Sequence, residues 1–186
     1  MLALYEVTKR YGAQTVFEHF TLGIAPGERV CLMGASGCGK TTALRLLAGL
    51  ELPDAGRVSR EGAISLVFQE DRLLRALTPL GNLRLVTGRA AGGQLEGLLS
   101  RLGLGDSLNK PVRELSGGMR RRVAIARALA VPFDALLLDE PFKGLDADTR
   151  SQAARVILEE AKGKTILLVA HDPAEATLLD ARVIHL

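Results

Sequence analysis

Apolar residues along this chain change period several times, and each change marks an element. Strand-like blocks come first: 2–7 (LALYEV), 15–24 (TVFEHFTLGI, partly alternating) and 29–33 (RVCLM), the last ending at Gly34. From Lys40 the spacing becomes helical through TTALRLLAGL and stops at Gly49. Strands resume at 57–58 and 64–68. The stretch 71–110 is rich in Leu and Gly and poor in β-branched runs, which predicts short helices and loops, with 88–93 the most mobile part. After LSGG, the run MRRRVAIARALA sets Met119, Val123, Ala126 and Ala130 on one helical face. A strand (ALLLD, 135–139), a helix over about 148–161, a strand (TILLVA, 165–170), a short helix after Pro173 and a strand (RVIHL, 182–186) complete the pattern.

The runs ALLLD and TILLVA are apolar without alternation, as strands covered on both faces are. Strands alternating with helices predict an α/β fold with a parallel sheet, the middle helices forming a lobe beside it. Composition adds little: 47% apolar and 24% charged residues are ordinary for a globular domain. The excess of 24 basic over 21 acidic residues is too slight to indicate nucleic acid or an anionic membrane as a partner. The opening MLALYEVTKRYG meets charge too early for a signal peptide, and no run approaches the roughly 18 apolar residues of a membrane span. Cys31 and Cys38 sit in or beside a glycine-rich loop, so buried or loop thiols in a reducing cytosol are expected rather than a disulfide. A soluble protein with a single domain over 1–186 is the expectation.

Two glycine-rich stretches carry phosphate chemistry. Gly34-Ala35-Ser36-Gly37-Cys38-Gly39-Lys40-Thr41 fits G-x-x-x-x-G-K-[ST] at every fixed position, between a predicted strand and a predicted helix. Glycines let successive N–H groups converge on phosphate oxygens, and the helix N-terminus adds favourable potential. Lys40 would reach the β- and γ-phosphates of ATP, with Thr42 also at the loop's end, and the Thr41 hydroxyl would ligate Mg²⁺. ALLLDEP places Asp139 and Glu140 at the C-terminal end of a buried strand, the edge at which open α/β sheets bind ligands. Asp139 is then the Mg²⁺-linked carboxylate, direct or through water, and Glu140 polarises an attacking water. Gln69 and His171 end two further apolar strands, and Asp146 follows the carboxylate strand by one short loop. The strands ending at Gly34, Gln69, Asp139 and His171 would open onto one sheet edge. The second stretch is LSGGMRRR, 115–122: Ser116 can donate or cap, Gly117 and Gly118 permit close approach, and a helix follows. Arg120, Arg121 and Arg122 read either as a solvated basic helix face or as added local positive potential, without a catalytic role.

Taken in order, these residues resemble the ATP-binding subunit of ABC transporters over essentially the whole chain. The correspondence runs through Walker A at 34–41, the Q-loop Gln69, the signature LSGGM, Walker B LLLD with Glu140, the D-loop GLD ending at Asp146, and the switch His171. VFQEDRLL, LSGGMRRRVAIARAL, LLLDEPFKGLDADTR and HDPAEA are most similar to bacterial importers of the nitrate, sulfonate and taurine group. The resemblance implies a P-loop NTPase of the ABC ATPase type, with a parallel-sheet core, an N-terminal antiparallel β part and a small helical lobe. Its lobes would divide as 1–70 and 131–186 (catalytic core) and about 71–130 (helical and signature lobe). It implies Gln69 as a further metal-linked and catalytic residue beside Glu140, His171 and Lys40. Tyr11, placed beyond the first strand, matches the aromatic that stacks on adenine, with local packing as the other reading.

Two departures stand out. Met119 occupies a place where the family commonly has Gln, and the chain ends at Leu186, which argues against regulation through a C-terminal extension. By resemblance, two subunits pair head to tail, each signature loop capping the γ-phosphate held by the other's P-loop, with Asp146 near the nucleotide. The implied partners are a second ATPase subunit in a homodimer and a transmembrane permease, with room for an extracytoplasmic solute-binding protein and no direct nucleic acid. The segment DRLLRALTPLGNL resembles the permease-docking surface. The implied place is the cytoplasmic face of the cell membrane, or the cytoplasm when isolated. A soluble ABC-type ATPase acting on DNA or ribosomes is the alternative, but such proteins carry long coiled coils or two ATPase units. A non-hydrolytic switch conflicts with Glu140 and His171, and a small-molecule kinase leaves LSGGM unexplained.

Overall fold

The structure, a computed structural model, describes residues 1–88 and 92–186. The strands are β1 (Leu2–Tyr11), β2 (Gln14–Ile24), β3 (Arg29–Met33), β4 (Ala55–Arg60), β5 (Ile64–Val67), β6 (Ala135–Asp139), β7 (Thr165–Val169) and β8 (Arg182–His185). The helices are α1 (Lys40–Ala48), α2 (Pro79–Thr87), α3 (Gly92–Arg101), α4 (Gly117–Leu129), α5 (Ala147–Glu160) and α6 (Pro173–Leu178). Short 3-10 turns occupy Gly105–Ser107 and Val112–Glu114. The part of 88–93 that falls at 89–91, expected to be mobile, lies outside the described residues.

Three strands form an antiparallel sheet in the order β2-β1-β4, and five form a second sheet in the order β5-β6-β7-β3-β8. In the second, β6 with β7, β7 with β3 and β3 with β8 pair in parallel. The parallel core and the N-terminal antiparallel part are both as expected. β1 runs to Tyr11 rather than stopping at Val7, because its polar second half pairs with β2 up to Tyr11 opposite Gln14. That pairing leaves a two-residue turn, which Gly12 enters at φ +58°. Tyr11 is thus the last residue of β1, not a residue beyond it.

Backbone contacts divide the chain into two compact units, which differ from the lobes drawn on the sequence. One comprises Met1–Leu66, Phe133–Asp139 and Gly163–Leu186; the other Val67–Pro132 and Glu140–Lys162. In the first unit a single core cluster joins residues of both sheets through α1. Leu2, Leu4, Phe17 and Ile24 from the antiparallel sheet and Val30, Leu32, Leu137, Leu167 and Val169 from the parallel sheet share it with Ala43, Leu44, Leu46 and Leu47. Leu44, Leu46 and Leu47 are at most 1% exposed, and burying each contributes about 2 kcal/mol. The alternate residues Cys31, Leu136, Leu138, Ile166 and Leu168 are equally buried, so the central strands are apolar on both faces.

The second unit is helical. α4 packs against α2, α3 and α5, and Val123, Ile125 and Ala126 are fully buried. Asn82, also fully buried, anchors the segment before α2: its Oδ1 accepts from the Leu74 N–H at 2.9 Å, and its Nδ2 donates to the Leu74 and Thr78 carbonyls at 3.1 Å each. Thr78 caps α2 by accepting from the Gly81 N–H at 3.1 Å. Truncating Asn82 strands a buried donor and acceptor, so Asn82→Ala should lose about 2–4 kcal/mol of stability in urea unfolding, more than an exposed helix substitution.

Candidate functional site

The P-loop lies in the first unit and forms the connection from β3 to α1. Gly34, Gly37 and Gly39 hold φ of +152°, +82° and +106°, values that side chains resist, and the chain turns through Ala35, Ser36 and Cys38, with the Cys38 N–H donating to the Ala35 carbonyl at 3.3 Å. Gly39 is the left-handed N-cap of α1, and a Cβ there would lie 2.6 Å from the Phe17 ring and 2.8 Å from Val16. At the other end Gly49, also left-handed, donates its N–H to the Arg45 and Leu46 carbonyls and stops the helix. Lys40, 5% exposed, donates through its ammonium to the Gly34 and Ala35 carbonyls at 2.8 and 2.9 Å. One positive charge is therefore held inside the loop, at the positive end of a helix. Thr41, next in α1, donates its hydroxyl to Oδ1 of the buried Asp139 at 3.3 Å. Thr42 follows it in the same turn.

Asp139 ends β6, and Gly34 and His171 follow the C-terminal ends of the adjacent parallel strands β3 and β7. The parallel pairing thus brings these three to one edge of the sheet, where His171 is exposed. Tyr11, 44% exposed, donates its hydroxyl to the Glu51 carboxylate and carries the Lys9 ammonium 5.2 Å from its ring centre. Burial, then the Glu51 hydrogen bond, raises the Tyr11 pKa. Both cysteines are free thiols, and burial pushes the Cys31 thiol up to about 11, with the Glu175 charge adding to it.

The second unit holds Gln69, Glu140, the signature loop and Asp146. The Gln69 amide donates to Oε2 of Glu140 at 3.3 Å, and the Lys143 ammonium reaches the same oxygen at 3.1 Å. Lys143 was not anticipated, although its i+3 spacing from Glu140 in a turn was a readable signal. Glu140 itself holds φ +48°, a left-handed conformation costly for a side-chain-bearing residue. Ser116 is the N-cap of α4, its Oγ accepting from the Met119 N–H at 3.2 Å. Gly117 and Gly118 form the first turn of that helix. Asp146 caps α5, accepting from the Thr149 N–H at 2.9 Å and the Thr149 hydroxyl at 2.8 Å, and these bonds hold its carboxyl below the ordinary range.

The basic run after the signature is not a uniformly solvated face. Arg121 is 3% exposed and donates to main-chain carbonyls on two segments, because its position on α4 points into the packed side of the helix. Arg122 donates to the Leu102 and Gly103 carbonyls at 2.8 and 3.0 Å.

A glycine loop between a parallel strand and a buried helix, with a carboxylate ending a second buried strand one place removed in the same sheet, defines a P-loop NTPase fold. A family model described as ABC transporter matches residues 17–143, and the chain belongs to that family. It is 43% identical, over 98% of its length and 60% of the relative's, to the aliphatic sulfonates import ATP-binding protein SsuB 1 of Burkholderia lata. It is 45% identical, over 96% of its length and 70% of the relative's, to the SsuB 1 protein of Pseudomonas fluorescens. Some relatives are therefore much longer: the chain spans 60% of the Burkholderia protein. The dimeric structure of a bacterial ABC transporter cassette superposes with a TM-score of 0.90 and 32% identity, covering 100% of this chain and 94% of that one. A post-hydrolysis state of such a cassette, bound to ADP and Pi, superposes with a TM-score of 0.89 and 32% identity, with the same coverage.

Among the P-loop glycines, Gly39 tests the local geometry most sharply. Gly39→Ala combines a disfavoured φ with a clash against Phe17, and should lower unfolding stability by about 2–3 kcal/mol or more in chemical denaturation.

Proposed function

We propose that the chain is the ATP-hydrolysing subunit of an ABC transporter, working as a pair around two ATP molecules and driving solute import through a membrane permease. The single observation that carries this reading is the P-loop with Lys40 inside it and Thr41 hydrogen-bonded to Asp139. Lys40 and the loop amides bind and orient the β- and γ-phosphates, and the α1 N-terminus adds potential where negative charge develops. Ser116, Gly117 and Gly118 of one copy close on the γ-phosphate held by the other, and Asp146 lies in the same pairing surface. Tyr11 stacks on adenine.

The Thr41 and Asp139 oxygens suit Mg²⁺, which takes one or two protein oxygens and leaves the rest of its shell to phosphates and water. Thr41 and Asp139 would hold it, with Gln69 contributing, and it would neutralise charge on the phosphate oxygens. Glu140 is the general base: it takes a proton from the attacking water, while Gln69 and Lys143 restrain its carboxylate. His171 is a polar partner of the transferring phosphoryl group.

The helical segment about 71–130 is proposed to dock on the permease, a reading supported by the exposed Leu74, Leu85 and Val86. No helix among the described residues is long and apolar enough to cross a membrane. Peripheral attachment at the cytoplasmic face, through a permease served by an extracytoplasmic binding protein, follows from this reading. The names of the relatives support import and make an alkyl sulfonate the first cargo to test.

Glu140→Gln should retain ATP binding, lose turnover by about 100-fold or more, and accumulate an ATP-dependent dimer on size exclusion. A variant that stays monomeric with ATP would sink the paired-site reading. Lys40→Ala should lose nucleotide binding or reduce turnover by about 100-fold, and undiminished ATPase would remove the P-loop from the mechanism.

A further inference from the structure

Arg121 is a buried charge in the second unit, and what it touches is unusual. Its Nη2 donates to the Glu140 carbonyl at 2.7 Å and its Nε to the Pro141 carbonyl at 3.0 Å. Its Nη1 donates to the Phe68 carbonyl at 2.6 Å and reaches the Gln69 carbonyl and the Asp71 carboxylate at 3.3 Å each. One planar group thus grips the backbone of two segments that are far apart in sequence. From those two segments extend the Gln69 amide and the Glu140 carboxylate, which meet each other at 3.3 Å.

The chemistry of the guanidinium suits this role. It is rigid, carries five N–H donors around a plane and stays charged when buried. An ammonium at the same place is a point donor and cannot satisfy carbonyls along two edges. The Glu140 backbone needs such a restraint: its φ of +48° is disfavoured, and the charge-assisted bonds to the carbonyls of residues 140 and 141 hold that turn. Arg121 also stands on α4, the helix that Ser116 caps and that Gly117 and Gly118 open. The same residue therefore ties the signature helix to the backbone of Gln69 and Glu140.

We propose that Arg121 is a positioning residue for ATP hydrolysis, setting the Glu140 carboxylate against the Gln69 amide and coupling that register to α4. The inference rests on the reading of Glu140 as the general base. Arg122, on the same helix, donates to the 102–103 turn instead and provides a matched control.

The test is steady-state ATPase together with direct ATP binding for the full chain and its Arg121→Lys, Arg121→Gln and Arg122→Lys variants. Arg121→Lys should lower kcat by about 10- to 100-fold, with KM and the ATP Kd within about two-fold of wild type. Arg122→Lys should leave kcat within about two-fold. Adding Arg121→Lys to Glu140→Gln should cost nothing further, because both changes act through one carboxylate. If Arg121→Lys does not fold, Arg121→Gln, which keeps an amide donor, is judged by the same split of kcat from KM.

Wild-type kcat in a folded Arg121 variant would overturn the proposal. So would a loss of ATP affinity matching the loss of turnover, or full additivity with Glu140→Gln. If Glu140→Gln itself hydrolyses ATP at the wild-type rate, the general-base reading fails, and Arg121 loses its role with it. A kcat defect confined to Arg121, beside a silent Glu140→Gln, cannot support the proposal.

Discussion

Helix α1 is the constraint on which the first unit depends. Two sheets of different hydrogen-bond type share one core there, and the four buried apolar residues of α1 are common to both. A helix so placed cannot rotate or slide without exposing Leu44, Leu46 or Leu47, each worth about 2 kcal/mol of burial. Its N-terminus is consequently fixed, and so is the direction in which its first amides point. The P-loop inherits this rigidity. Gly39 packs against Phe17 and Val16 with no room for a side chain, so the loop is pressed onto the antiparallel sheet at the very residue where the helix begins. A phosphate site built there starts with its donors already oriented, and little reorganisation is left for the moment of binding.

The second unit solves a different problem with a different interaction. Its loops bury Leu102, Leu104, Val112, Leu115 and Phe142, and their carbonyls are in addition gathered by arginines from α4. Arg121 takes those of residues 68, 69, 140 and 141, Arg122 those of 102 and 103, and Arg127 those of 71 and 72. Burial alone lowers the pKa of Arg122 and Arg127, though a guanidinium retains its charge throughout the physiological range. Carbonyl dipoles supply the local compensation, so the charge is satisfied and the loops are ordered by the same bonds.

That division explains which features could be read before any coordinates. The P-loop was legible because its chemistry is local: each fixed residue of 34–41 serves the backbone or the phosphate within eight consecutive positions. The parallel core was legible because ALLLD and TILLVA are uninterrupted apolar runs. Arg121 was not, because the run RRR has no periodicity to separate a buried arginine from its solvated neighbours. Asn82 was hidden for the same reason, since a lone Asn inside LGNL carries no sign of the carbonyls it will meet. The strand bearing Tyr11 was cut short because KRY is polar, whereas cross-strand pairing rather than burial holds it. A common sheet edge for the strands ending at Gln69 and Asp139 was expected from the strand ends, but the hydrogen bond from Gln69 to Glu140, 71 positions apart, was not foreseen.

The signature loop shows how a fold can leave a residue unexplained by its own packing. Ser116 uses an Oγ lone pair on the Met119 N–H, so its hydroxyl proton remains available to a second acceptor. Gly118 has an internal reason to be glycine, since a Cβ there would press on Leu145 and the Gly144 carbonyl at 3.3 and 3.4 Å. Gly117 has none of that kind. A Cβ there would find only the end of the Arg120 side chain, at 4.0 Å, and no positive φ demands glycine. Within the unit, then, neither a steric clash nor a backbone conformation asks for glycine at 117. Under the proposed pairing, a nucleotide held by the P-loop of a second copy would bring its phosphate oxygens to the bare amides of this helix N-terminus. On that reading, a glycine at 117 answers to the proposed pairing rather than to packing within the single chain.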